Sequence, residues 1–262
     1  MTRCRSDCER FSFSRLKCFE QCPYQYYLSY IAEEPKEDNA LAEYGSMCHK
    51  LLEEYLNGKW ELYELPTQYS KRFFKEIKNP FPRMFGRNLA PKYFDGGLNF
   101  FNQFEGLSAK TILGVEENFN MKIYLDDEPF IFNGFIDALY IDENDKLVVH
   151  DWKSKSSFKN KKELAEYQKQ LYLYSFYVYE KYKRFPDILR LYCFREQKAY
   201  DCEFSVYWYV EAMKWMCNIV RQVRDCEIFE QNRSADFYCG ELCSFRHACV
   251  PNEIAFLEEE NI

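Results

Sequence analysis

The chain has 262 residues, of which 47% are apolar and 29% charged, with a formal net charge of −7. This is a globular composition: it excludes a disordered chain, and nine glycines exclude a collagen-like or linker-rich one. The length fits one α/β domain with insertions or two average domains.

No apolar run approaches the ~18–20 residues of a membrane span. Met1–Arg10 is charged and has no apolar stretch, so no signal peptide is expected and the protein reads as intracellular and cytoplasmic. The acidic total hides a basic segment, since residues 151–200 hold 12 Lys/Arg against 6 Asp/Glu. Local sign decides where a polyanion docks. The plainer alternative is a solvated, lysine-rich helix face.

In chain order, residues 11–31 predict a helix, capped by Ser12 or Ser14, with Leu16, Phe19, Tyr26, Tyr27 and Ile31 at helical spacing. A polar loop follows at 33–39. Residues 41–57 predict a second helix, which carries His49. Pro and Gly break the pattern over 79–97, and a helix follows around 91–106. The texture then changes to strands over 111–125, 129–141 and 146–153, with the charged 142–146 as a turn. Residues 162–182 predict a strong helix, 187–205 two short strands and 206–225 another amphipathic helix. The order implies one domain over 1–262, of α/β class. Its parts are a helical N-terminal part (11–110), a core (111–205) and a C-terminal helix with a cysteine cluster (206–262).

The hairpin carries the chemistry. Phe132–Tyr140 and Leu147–Lys153 are apolar strands, each interrupted by one carboxylate. A turn centred on Asn144 puts Asp137 directly opposite Asp151, with Cβ atoms ~4.5–5.5 Å apart. Two such carboxylates on an apolar sheet repel each other and lose hydration. A divalent cation offsets both effects, and hard oxygen ligands suit Mg²⁺ or Mn²⁺. Lys153 lies two residues beyond Asp151 and so projects from the same strand face. There it can position an attacking water and stabilise charge developing on a phosphate. His150 falls on the opposite face. The plain alternative is a surface hairpin with an Asp–Lys ion pair.

Twelve cysteines need a separate explanation. In a reducing compartment, clustered cysteines suggest metal or redox chemistry. Cys48, Cys193, Cys202, Cys217 and Cys226 read as small buried hydrophobes. Cys239, Cys243 and Cys249, three in eleven residues, read as ligands of one metal centre. Four thiolates suit iron–sulphur or Zn²⁺. Cys4, Cys8, Cys18 and Cys22 can form an N-terminal zinc site, with His247 completing the C-terminal three.

Five motifs in order carry a resemblance. They are Ser12-Phe-Ser-Arg-Leu-Lys-Cys-Phe-Glu-Gln-Cys22-Pro-Tyr, Tyr44-Gly-Ser-Met-Cys-His49 with Leu51 and Leu52, Gly134-Phe-Ile-Asp137, Asp151-Trp-Lys153 and Gln170-Leu-Tyr-Leu-Tyr174. Together they resemble the PD-(D/E)XK nuclease superfamily in its RecB-like branch, over about residues 11–250. The pattern is most similar to the iron–sulphur nucleases: RecB-like exonucleases associated with CRISPR adaptation, the nuclease domain of AddB, and phage homologues. Ile136 stands where that family has a proline. The C-terminal cysteines are spaced by three residues and then five, where the family has two and then five.

The resemblance implies a restriction-endonuclease-like core with a mixed central sheet, a helical N-terminal part and a C-terminal iron–sulphur clasp. It implies a Mg²⁺- or Mn²⁺-dependent deoxyribonuclease, an exonuclease on single-stranded DNA or DNA ends. His49, Asp137 and Asp151 would hold the metal. Lys153 would be catalytic, and Gln170 and Tyr174 would face it from one helix side. Glu116 stands at the place of an acidic residue that supports the site in relatives. Cys22, Cys239, Cys243 and Cys249 would hold a 4Fe–4S cluster. A helicase or a CRISPR integrase would be a partner. Two other classes stay open: a DNA-binding or assembly subunit with little activity alone, and a zinc-stabilised interaction module.

Overall fold

The computed structural model describes residues 9–84, 86–250 and 255–256. Cys4 and Cys8, and with them the alternative N-terminal zinc site, lie outside the described residues. The elements in order are β1 (Glu9–Phe11), α1 (Phe13–Gln21), α2 (Pro23–Tyr30), α3 (Ala40–Leu56), α4 (Leu65–Glu76), β2 (Arg83–Met84), β3 (Arg87–Asn88) and α5 (Ala90–Gln103). Then come β4 (Ala109–Leu125), β5 (Glu128–Asp142), β6 (Leu147–Lys153), α6 (Lys161–Tyr182), β7 (Ile188–Cys193), β8 (Lys198–Glu203), α7 (Val206–Asp225), β9 (Ile228–Phe229) and β10 (Ala255–Phe256). No helix among the described residues is long and apolar enough to cross a membrane.

The chain groups into two compact units, each built from separate segments. Of the described residues, one comprises those up to 38, those of 120–133 and those from 213 onward; the other comprises those of 39–119 and 134–212.

In the first unit, the helix expected over 11–31 is two helices. Pro23 cannot donate a helical N–H, and its ring drives the preceding residue out of the helical region, so Cys22 is extended at φ −158°, ψ 103°. Ser12 caps α1 by accepting from the Arg15 N–H at 3.2 Å, and Cys22 caps α2 through its sulphur. β1 runs parallel to the start of β5, from Glu9↔Phe130 to Phe11↔Phe132. Arg224 of α7 fixes both strands, with ion pairs of 3.0 Å to Glu9 and 3.6 Å to Glu128. Tyr24, Leu28 and Phe245 form a small core beside Cys22, Cys243 and Cys249. Backbone hydrogen bonds from Tyr24 N–H to Glu230 O (3.1 Å) and from Glu37 N–H to Ser244 O (2.9 Å) stitch the N- and C-terminal segments together.

The second unit holds most of a mixed sheet, ordered β5-β6-β7-β8 with β4 also paired to β5. β5 and β6 are antiparallel, from Ala138↔His150 to Ile141↔Leu147. The turn between them is where the charged run placed it. Asp142 Oδ1 accepts from the N–H groups of Asn144 (2.8 Å) and Lys146 (2.9 Å), and Asp145 takes the left-handed conformation. β6 and β7 are parallel, in register from Val148↔Ile188 to Lys153↔Cys193, and α6 makes the crossover such a pair requires. β8 closes the edge antiparallel to β7.

α3, α4 and α5 build an aromatic core with Trp152 and Phe194, centred on the buried Tyr44, Tyr69, Phe73, Phe100 and Phe101. Here the Tyr69 hydroxyl donates to the carbonyls of Tyr93 and Phe94 at 3.0 Å each. A Cβ on Gly97 would stand 2.3 Å from that hydroxyl, so only glycine fits. α4, β1 and the two-residue strands β2, β3, β9 and β10 are additions to the elements expected from sequence.

Candidate active site

The second unit brings the predicted residues together from four elements. Strand alternation on β6 sends Asp151 and Lys153 to one face and His150 and Trp152 to the other, where their rings lie 4.0 Å apart. The β5–β6 register, continued one step past Ala138↔His150, sets Asp137 opposite Asp151. There Asp137 Oδ2 accepts from the Trp152 N–H at 2.7 Å. α3 brings in His49, whose Nδ1 lies 3.4 Å from Asp137 Oδ2.

Lys153 Nζ is 2.6 Å from Asp151 Oδ2 and donates to Gln170 Oε1 at 3.1 Å. Gln170 Nε2 donates in turn to the Tyr174 hydroxyl at 2.8 Å. An ammonium can only donate, so it orients the Gln170 amide and leaves the amide's NH₂ for Tyr174. Gln170 and Tyr174 are one turn apart on α6 and act as one relay behind Lys153.

One further residue stands closer than sequence reasoning placed it. Ligand atoms of His49, Glu116 and Asp137 all lie within 4.8 Å of one another. The expected trio had Asp151 in the place of Glu116; Asp151 instead pairs with Lys153. Glu116 interrupts the extended run of β4 at φ 47°, a strained left-handed conformation for a long side chain. Its neighbour Glu117 is engaged by Tyr177 and Lys181 of α6. The two adjacent acids of β4 thus serve different partners.

The electrostatics follow from burial and crowding. Burial works to raise the pKa of Asp137, but His49, Lys153 and the Trp152 N–H outweigh it and hold the carboxyl below the ordinary range. Burial pushes Asp151 up, with Lys153 opposing and Asp137 adding to the rise. Glu116 is raised to about 7, by burial and then by the nearby Asp137. His49 loses hydration, which lowers its pKa, yet Asp137 raises it above the ordinary value. Three carboxylates thus share one partly buried site with one lysine and one histidine. The excess negative charge is what a divalent cation offsets, and the oxygen-rich donor set with one imidazole nitrogen fits such an ion.

The cysteines cluster in the first unit. Cys22, Cys239, Cys243 and Cys249 all line one cavity of about 100 Å³. One water needs roughly 10–15 Å³ measured this way, so the space admits a polyatomic group. Cys22 Sγ accepts from the N–H groups of Gln25 and Asn232 at 3.4 Å each. Burial raises Cys243 and Cys249, and the neighbouring thiols of the set add to the rise. Among the described residues no three cysteine sulphurs lie within 4.8 Å of one another. His247 is engaged elsewhere, 3.5 Å from Glu34 and 3.7 Å from Glu37. Of the five cysteines read as small hydrophobes, Cys48 and Cys193 are buried, whereas Cys202, Cys217 and Cys226 are half-buried.

A profile of the PD-(D/E)XK nuclease superfamily matches residues 10–250. Among solved structures, the chain is similar to a protein of Eubacterium rectale described as a candidate exonuclease. The two share 12% identity over 94% of this chain and 90% of that one, with a TM-score of 0.52. The chain is also similar to SSO0001, at 14% identity over 93% of this chain and 87% of that one, with a TM-score of 0.41. At such identities the first likeness speaks to the fold alone. No curated protein matches the sequence.

Proposed function

This chain belongs to the PD-(D/E)XK nuclease superfamily, and we propose that it is a divalent-metal-dependent deoxyribonuclease that removes nucleotides from single strands or DNA ends. The observation that carries this reading is the convergence of Glu116, Asp137 and Asp151 with His49 and Lys153. His49, Glu116 and Asp137 would hold Mg²⁺ or Mn²⁺, with Asp151 beside them. When bound, such a cation supplies charge neutralisation at the phosphate and activation of water.

The chain's own residues do the rest. Lys153 donates toward the phosphodiester oxygens and the attacking water, offsetting the charge that develops during in-line displacement. Gln170 accepts from Lys153 and fixes where the ammonium points, and Tyr174 fixes Gln170. An exonucleolytic mode agrees with the description of the E. rectale protein.

The four cavity cysteines are assigned to a structural 4Fe–4S cluster. Two features support it: the shared cavity and the N–H donors on Cys22. A cross-link between Cys22 and Cys239 closes a loop of more than two hundred residues, where it restricts the unfolded chain strongly.

The test is cleavage of end-labelled single-stranded and duplex DNA by anaerobically purified protein in Mn²⁺, beside Lys153→Ala. The variant should lose about 10²- to 10³-fold in rate with an unchanged circular dichroism spectrum. Equal cleavage by the two proteins would remove Lys153 from the chemistry. Absence of cleavage by wild type would move the protein to the DNA-binding or assembly class.

A further inference from the structure

Residues 153–162 carry five lysines and no acidic residue, and Phe158 sits among them. We propose that this segment, with Tyr167 and Tyr200, is the site that grips single-stranded DNA next to the scissile phosphate. The proposal deepens the nuclease reading above and rests on it.

The aromatic side chains form a continuous group. The Phe158 ring lies 5.1 Å from that of Tyr167 and 4.9 Å from that of Tyr200. All three rings are half-buried, so each keeps surface for a ligand. Cations crowd the same rings. Lys155 Nζ is 4.5 Å from the Phe158 centroid and 4.7 Å from that of Tyr167, and Lys198 Nζ is 4.9 Å from that of Tyr200. Lys153 Nζ itself lies 5.3 Å from the Tyr167 centroid, so the group begins where the proposed chemistry ends. Tyr167 also precedes Gln170 by three residues on α6, which aligns it with the Gln170–Tyr174 relay.

The segment is ordered in advance. Asn160 caps α6 by accepting from the Glu163 N–H at 2.9 Å. Glu163 reaches back to the Lys159 N–H at 2.5 Å and to Lys155 Nζ at 2.6 Å. This staple fixes the loop without neutralising Lys159, Lys161 and Lys162, which are exposed. The positive end of the 22-residue α6 lies in the same place.

Cations that track phosphates, interleaved with aromatic faces, are what a single strand requires. Its bases are free to stack, whereas those of a duplex already stack on each other. Double-stranded DNA would use the lysines alone.

The experiment measures binding of a fluorescent oligothymidylate and of a duplex of equal length. The full chain is used, with Ca²⁺ in place of Mn²⁺ so that the probe stays intact, and a parallel Mn²⁺ cleavage assay reports the nuclease reading separately. Phe158→Ala and Tyr167→Ala should each weaken single-strand binding by about 5- to 150-fold, the range for loss of one stacked base. Duplex binding should fall far less. Tyr167→Phe keeps the ring and should bind as wild type.

The exposed pair Lys159→Ala/Lys161→Ala cannot disturb a core. It should flatten the dependence of log affinity on log salt by about 1.4, at roughly 0.7 per phosphate on a single strand. If wild type cleaves DNA but these variants bind with unchanged affinity and salt slope, the grip site is refuted and the nuclease reading stands. Equal losses on single strand and duplex would refute the single-strand assignment. If wild type neither binds nor cleaves DNA, both readings fall together.

Discussion

Gly134→Ala tests whether the relay behind Lys153 is held as tightly as the packing implies. Gly134 has no left-handed backbone requirement, so sterics alone decide the outcome. An added Cβ would stand 2.8 Å from Phe119 Cζ and 2.8 Å from Tyr174 Cε1. Carbon contacts settle at about 3.5–4.0 Å, so the methyl must displace each ring by roughly 0.7 Å or more. Neither ring has anywhere to go: Phe119 is 2% exposed, Tyr174 is 6% exposed, and Phe119 is stacked 4.9 Å from Tyr177.

Overpacking of this kind costs about 1–3 kcal/mol. The stiffer unfolded chain returns about 0.4–1 kcal/mol, and with two buried rings displaced the cost sits in the upper half of its range, leaving a net loss of about 1–2.6 kcal/mol. The functional effect should be larger in proportion. Displacing Tyr174 moves the acceptor of Gln170, and through it Lys153. A 1 Å misplacement at a reacting centre can cost on the order of 10²-fold, so a drop of about tenfold or more in single-turnover cleavage is expected. Urea denaturation gives the stability change. Phe119→Leu in the same chain removes the offending ring edge and should recover part of both losses, a coupling the double-mutant cycle reads directly. Gly134→Ala protein with stability within about 0.5 kcal/mol of wild type and an unaltered cleavage rate would refute the reasoning.

Glu116→Gln should weaken Mn²⁺ binding at least about tenfold by calorimetry. Undiminished affinity would take Glu116 out of the metal site. Cys243→Ser should bleach the visible absorption and lower the iron content of anaerobically purified protein, and a full iron complement would exclude Cys243 as a ligand. Glu54→Gln probes the helix that carries His49. Burial works to raise Glu54, but hydrogen bonds from Trp60, Lys59 and Arg72 hold it down to about 2 against an ordinary 4.5. A depressed carboxyl stabilises the fold above pH 4.5 and loses that contribution as pH falls toward 2. At about 1.4 kcal/mol per pH unit the ceiling is ~3 kcal/mol; Lys59 is half exposed to solvent, which reduces the expectation to about 1–2 kcal/mol at pH 7. Less than half should remain at pH 3, and a pH-independent difference would contradict the linkage.

Much of the site was legible because it depends on local rules. The charged turn set the β5–β6 register, strand alternation paired Asp151 with Lys153, and helical spacing aligned Gln170 with Tyr174. Glu116 was harder. Two adjacent glutamates on one strand point to opposite faces, and nothing in their order says which one meets His49; a left-handed residue inside the strand decides it. α4 was missed because its run, with a proline in the first turn and three aromatics, continues a short 3-10 turn and has no side-chain cap of its own. β1 is three residues long, too short to show a period, and exists only because the start of β5 offers it a parallel partner. At Cys22 the signal was present in Pro23, whose effect on the preceding residue splits one expected helix into two and turns a cysteine into a cap.

The interrupted make-up of the two units has a consequence for biosynthesis. Every residue of the unit that carries His49, Asp137 and Lys153 has been polymerised once the ribosome passes residue 212. The other unit waits for its last segment, and Cys22 waits for Cys239, Cys243 and Cys249 to emerge. At ribosomal speeds of ~5–20 residues per second, that interval is on the order of 10–40 s. Through it the N-terminal thiol is exposed to oxidants and to stray metals in the cell. The unit with His49, Asp137 and Lys153 can therefore fold on the nascent chain, whereas the unit with the cysteines is complete in its thiols only after residue 249 has emerged.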